Sequence, residues 1–186
     1  MPYGGNDWLA VAPEATLEPE MPICDPHHHF WDFRTERIPY HRYLLHELAS
    51  DINSGHNVHS TVFVEARSMY RPDGPEELRT VGEVEFVQGL AAASANGLYG
   101  PGRAAAAIIG HANLNLGDRV EPVLEALRAA SPNRFRGVRH SCGWDPHPEV
   151  ENRAPEDQLA SDEFRAGARV LARLGFVYEN TVFFPQ

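Results

Sequence analysis

Ile23-Cys24-Asp25-Pro26-His27-His28-His29-Phe30-Trp31-Asp32 is the stretch on which the reading of this chain turns. Side chains alternate faces along a strand, so His27 and His29 share one face and His28 points to the other. Two imidazoles side by side can grip one divalent ion, and Asp25 could orient a histidine from behind. By spacing alone, a metal site that opens a hydrolase competes with a polar strand end whose histidines bind nothing, because two ligands do not complete a site.

Outward from this strand, taken as Ile23 to His29, extended and helical patterns alternate. Leu44, Leu45 and Leu48 predict a short helix over Tyr43 to Ala49, and the β-branched run Ser60 to Glu65 predicts a second strand. Pro72-Asp73-Gly74-Pro75 is a turn. A long helix is expected from Glu76 to Asn96, stopped by Gly97. A third strand spans Ala104 to Gly110, a helix Asp118 to Ala130, and a fourth strand Phe135 to His140. After the proline- and acid-rich stretch Asp145 to Gln158, Ser161 caps a helix that Gly175 closes, and Phe176 to Phe184 is the fifth strand. Residues 1–20, rich in proline, glycine and glutamate, read as an extended arm before one domain over 21–186.

Strand–helix alternation predicts a parallel sheet, whose sites lie at the carboxyl ends of its strands. Four strands end on side chains suited to chemistry: His27 and His29, Glu65, His111, and His140. Each has a plainer reading. Glu65 also fits an ion pair with Arg67 or another arginine, and a lone histidine such as His111 is more often structural.

The net charge of −10 over 186 residues argues against nucleic acid or an anionic membrane as partner. All 16 basic residues are arginine. Cys24 and Cys142 make no disulfide framework, residues 1–20 do not pattern as a signal peptide, and no apolar run approaches the span of a bilayer. A cytoplasmic, soluble protein with a small-molecule substrate is the expectation.

Asp25-Pro26-His27-His28-His29-Phe30-Trp31-Asp32, Tyr43-Leu44-Leu45, Thr61-Val62-Phe63-Val64-Glu65, Met69-Tyr70-Arg71, Gly110-His111-Ala112-Asn113-Leu114 and Phe135-Arg136-Gly137-Val138-Arg139-His140 together resemble the amidohydrolase-related family of TIM-barrel, metal-dependent hydrolases, in its sugar- and aryl-lactonase branch. The resemblance runs from about Pro19 to Gln186. It implies an α/β fold, here part of a (β/α)8 barrel with about five parallel strands. It further implies that His27 and His29 hold zinc or a similar divalent ion and that an activated water hydrolyses a lactone or related cyclic ester. In that scheme Glu65, His111 and His140 are catalytic, and Arg67 and Arg139 hold a substrate carboxylate. Some relatives are thought to work without metal.

Two departures matter. The family's fifth strand ends in His-Pro-Gln, where this chain has Phe184-Pro185-Gln186, and phenylalanine neither coordinates metal nor shuttles a proton. Eight strand–helix units need roughly 250 residues, so a sixth to eighth strand, with the late aspartate the family uses, is not in this sequence. The alternative to an active hydrolase is therefore a non-catalytic, truncated or degenerate barrel fragment that pairs with a second copy or with a missing half. A cupin barrel, which also uses a His-x-His pair, fits poorly because helix-sized segments separate the strands.

Overall fold

The computed structural model describes residues 11–12, 14–33, 41–184 and 186. Of the expected arm, residues 1–10 and 13 fall outside these. Residues 14–16 are irregular, residues 17–21 form bends and turns, and most of these are exposed.

Strands and helices alternate through the described chain: β1 (Pro22–His28), α1 (Leu45–Ile52), β2 (Asn57–Val64), α2 (Val81–Ser94), β3 (Arg103–His111), α3 (Glu121–Ala130), β4 (Phe135–Arg139), α4 (Asp162–Arg173) and β5 (Val177–Glu179). The five strands pair in sequence order, every pair parallel, and the sheet curls into a half-barrel. Helices α1, α3 and α4 each bury one apolar stripe, whereas α2 buries Glu83 and Ser94 among its apolar residues. In α1 the stripe is Leu45, Leu48, Ala49 and Ile52, at the i, i+3, i+4, i+7 spacing of one helical face. In α4 it is Phe164, Gly167, Val170 and Leu171. Ser161 caps α4 by accepting from the Phe164 N–H at 3.2 Å, and Gly175, at φ 75°, ends it in the left-handed conformation that glycine adopts without strain.

Register assigns the two faces of the sheet. Gly110 pairs with Val138 and His111 with Arg139, and parallel partners share a face. Gly110 faces the helices: a Cβ there would lie 3.1 Å from Val84 and 3.6 Å from Leu127. His111 and Arg139 therefore face the concave side. His28 turns the opposite way from His27 and His29, into an aromatic cluster with Phe30 and Phe63 at ring-centroid distances of 4.7 and 5.9 Å.

Several bounds shift by two or three residues, and two elements depart further from the sequence reading. The helix expected over residues 76–96 is a single 3-10 turn, Glu76–Leu78, followed by α2 from Val81. The first turn of α2 is pressed against the loop after β2. A Cβ on Gly82 would stand 2.5 Å from the Met69 carbonyl oxygen, so the helix axis is set by that contact. The fifth strand is only Val177–Glu179, because its partner β4 stops at Arg139. Beyond the ladder the two segments still meet, where the Cys142 N–H donates to Thr181 O at 3.0 Å and Gln186 Nε2 donates to Cys142 O at 2.8 Å. Among the described residues no helix is long and apolar enough to cross a membrane.

Candidate functional site

His27 and His29 stand together at the end of β1, with their Nε2 atoms 3.2 Å apart and the rings edge to face. The His29 Nδ1 is 2.7 Å from the Val64 carbonyl oxygen. A carbonyl only accepts, so Nδ1 carries the proton and the His29 Nε2 presents a bare lone pair. Burial lowers the pKa of His29 and favours this neutral form. Nitrogen–metal distances of 2.0–2.1 Å in tetrahedral geometry separate two ligand nitrogens by roughly 3.3 Å, so the pair fits two positions around a divalent ion. The same spacing fits a hydrogen bond donated by His27 to His29. Among the described residues no group of three or more His, Cys, Asp or Glu side chains is placed to hold a metal ion.

The carboxylate that the sequence offers as catalytic is engaged by an arginine. Glu65, buried at the end of β2, accepts from Arg139 Nε at 3.0 Å, and Arg139 Nη2 donates to the Glu65 backbone oxygen. Arg139 also pairs with Glu179 of β5 at 3.5 Å, and its Nη1 lies 3.5 Å from His27 Nε2. The arginine offered by the sequence as a carboxylate clamp is thus itself clamped, and it ties β4 to β1, β2 and β5. Glu65 does form an ion pair, but its partner is Arg139; toward Arg67 it accepts the backbone N–H at 3.2 Å.

His111 and His140 face each other with ring centroids 5.6 Å apart and are locked in opposite tautomers. His111 Nδ1 meets the Arg139 carbonyl oxygen at 2.9 Å, so it donates there and leaves Nε2 bare. His140 Nδ1 accepts the Leu114 N–H at 3.1 Å, so its proton sits on Nε2. The Gln158 amide nitrogen lies 3.4 Å from His140 Nε2 and donates to Cys142 Sγ at 3.1 Å. Burial lowers the pKa of both rings, that of His140 to about 4, with His111 as the next cause.

Two adjoining cavities, of about 570 and 620 Å3, open at these strand ends. The first is lined by His111, His140, Tyr70 and Asn113, the second by His29 and Arg139; Glu65, Arg67, Ser141 and Arg153 line both. The fold therefore gathers Glu65, Arg67, His111, Arg139, His140 and the His27/His29 pair at one end of the sheet. Phe184 is fully exposed and lines neither cavity.

Sequence reasoning passed over Arg153, Tyr70, Gln158 and, above all, Glu83. Glu83 is wholly buried in α2, and burial pushes its carboxyl up to about 8. The available signal was a carboxylate next to a glycine in the first turn of a helix, on the face that carries Val84 and Val87. The chain matches no protein family, no curated protein and no solved structure.

Proposed function

We propose that this chain is a hydrolase of the amidohydrolase-related type, built on part of a (β/α)8 barrel, that opens a lactone or similar cyclic ester with water. The observation carrying this reading is the pair of opposed tautomers of His111 and His140 over one cavity. An acyl transfer to water needs a base for the attacking water and a donor for the oxygen that gains charge. The bare Nε2 of His111 takes a water proton as the water oxygen bonds to the ester carbonyl carbon. The His140 Nε2–H donates to the carbonyl oxygen. Collapse breaks the ring C–O bond, and His111 returns its proton to the departing alkoxide. Burial keeps both rings neutral near pH 7, as this division of roles requires. Arg67, at the junction of the cavities, holds an anionic substituent. Glu65 fixes Arg139, and through it the His27 side of the site. Where a divalent ion such as zinc is bound, His27 and His29 would hold it, and it would supply Lewis acidity toward the carbonyl and the water.

The test is turnover of a panel of γ- and δ-lactones, followed by acid release with and without added zinc or manganese. His111→Ala and His140→Ala should each lower kcat/KM by about 100-fold or more. A wild-type chain that opens no lactone under either condition ends the proposal, as does turnover indifferent to both substitutions.

A second reading is favoured by one observation. β1 and β5 are both edges of the sheet, each with one side unpaired among the described residues. Open edges invite further strands, so the chain would act as a barrel portion completed by a second copy or by another segment. Size-exclusion chromatography separates the two readings: a monomer with full lactone turnover removes the second.

A further inference from the structure

We propose that Glu83 is a positioning residue whose carboxyl clamps the β2–α2 loop through the Ala66 and Ser68 N–H groups and so fixes where Glu65 and Arg67 stand in the cavities. The inference rests on the hydrolase reading only for the importance of those two residues. Glu83 is 0% exposed, and its Oε1 accepts from Ala66 N at 3.0 Å and from Ser68 N at 2.7 Å. The amide between them, Arg67 N–H, goes to Glu65 Oε2 at 3.2 Å. Three successive backbone N–H groups thus converge on two carboxyl groups. Consecutive N–H groups in mixed right- and left-handed conformations form a concavity that binds anions. Here the protein fills that concavity with its own side chains.

The loop has reason to need a clamp. Arg67 and Met69 sit at φ 56° and 55°, left-handed values that side-chain-bearing residues adopt only against a steric penalty. Gly82, next to Glu83, lets the helix close on this loop: a Cβ there would meet Met69 O at 2.5 Å and Arg71 N at 2.9 Å. Glycine for approach and glutamate for grip therefore act at the same helical turn. The remaining carboxyl oxygen, Oε2, and the Tyr70 hydroxyl are both buried without a hydrogen-bond partner. A neutral carboxyl suits this arrangement, with its carbonyl oxygen taking both N–H groups.

Glu83→Gln keeps that acceptor, whereas Glu83→Met keeps the bulk and removes it. The readouts are trypsin cleavage after Arg67 and amide exchange at Ala66 and Ser68, neither of which needs turnover. Glu83→Met should raise cleavage and exchange by about tenfold or more, the loop opening expected when two backbone hydrogen bonds go. Glu83→Gln should stay within about twofold of wild type, a rescue that loss of packing alone would not give. The clamp is overturned if Glu83→Met protects the loop as wild type does, or if Glu83→Gln exposes it as Glu83→Met does. It is equally overturned if the wild-type Ala66 and Ser68 amides exchange as fast as that of exposed Gly74. Should circular dichroism show Glu83→Met unfolded, the wild-type exchange and Glu83→Gln decide. A chain that opens no lactone yet keeps these amides protected loses the hydrolase reading and retains the clamp.

Discussion

His28 illustrates how one position in a run of three histidines escapes the chemistry of its neighbours. Both of its ring nitrogens are buried without a hydrogen-bond partner, and its ring packs on Phe30 and Phe63. An unsatisfied buried polar group costs about 1–3 kcal/mol, so His28→Phe should raise unfolding stability by roughly that amount in urea titrations. Equal or lower stability would mean that the imidazole is better satisfied than its surroundings imply. The alternation that separates His28 from His27 and His29 was legible, because a period of two needs only the local backbone. The partner of Glu65 was not, since Arg139 lies 74 residues away and reaches it only through the sheet. The tautomers are likewise set by neighbours. Long-range nitrogen–proton NMR should find His111 protonated at Nδ1 and His140 at Nε2, with the His140 ring titrating only near pH 4. The reverse assignment would remove the base and the donor from their roles.

At the scale of elements, α2 carries a pH dependence into the fold. The Glu83 carboxyl is raised from 4.5 to about 8, first by burial, with Glu65 raising it further and the Ala66 and Ser68 N–H groups and Arg139 pulling it down. Tyr70, whose own pKa is raised by burial and then by Glu83, faces it from the loop. The folded state therefore binds this proton more tightly than the unfolded chain does. The contribution is fully present below about pH 4.5, declines as pH rises, and is gone above about 8. Thermal unfolding of wild type and Glu83→Gln across pH 5 to 8.5 should show a slope in the first that flattens in the second; parallel curves would place the titration elsewhere. Helix α4 was readable nearly to the residue, because Ser161 and Gly175 are local start and stop signals. The split before α2 was not. Glu76–Leu78 and Val81–Ser94 share an apolar period, and the break between them comes from the loop carrying Met69 and Arg71, which is packed against Gly82.

For the molecule as a whole, the five-strand parallel order was legible from alternation, yet the sheet's cross-strand fastening was not. Arg139 faces the concave side from β4 and engages Glu65 after β2, Glu179 in β5 and His27 in β1. Its side chain is 14% exposed and that of Glu65 8%, so both charges have left water and depend on each other. Removing one member of such a pair strands the other, which costs about 3–5 kcal/mol, whereas replacing both with apolar groups is often neutral or stabilising. Arg139→Met alone should therefore lower Tm sharply, at roughly 2–4 °C per kcal/mol for a chain of this size. Glu65→Leu alone should do the same, because it removes the carboxylate nearest a mostly buried guanidinium and leaves it Glu179 at 3.5 Å and the backbone oxygen of residue 65. The double variant should be markedly more stable than the sum of the two losses, and that excess is the coupling energy. Additive losses, each under about 1 kcal/mol, would put the pair in the class of exposed surface bridges. The curl that brings β1, β2 and β5 within reach of one side chain would then be held by the helix packing alone.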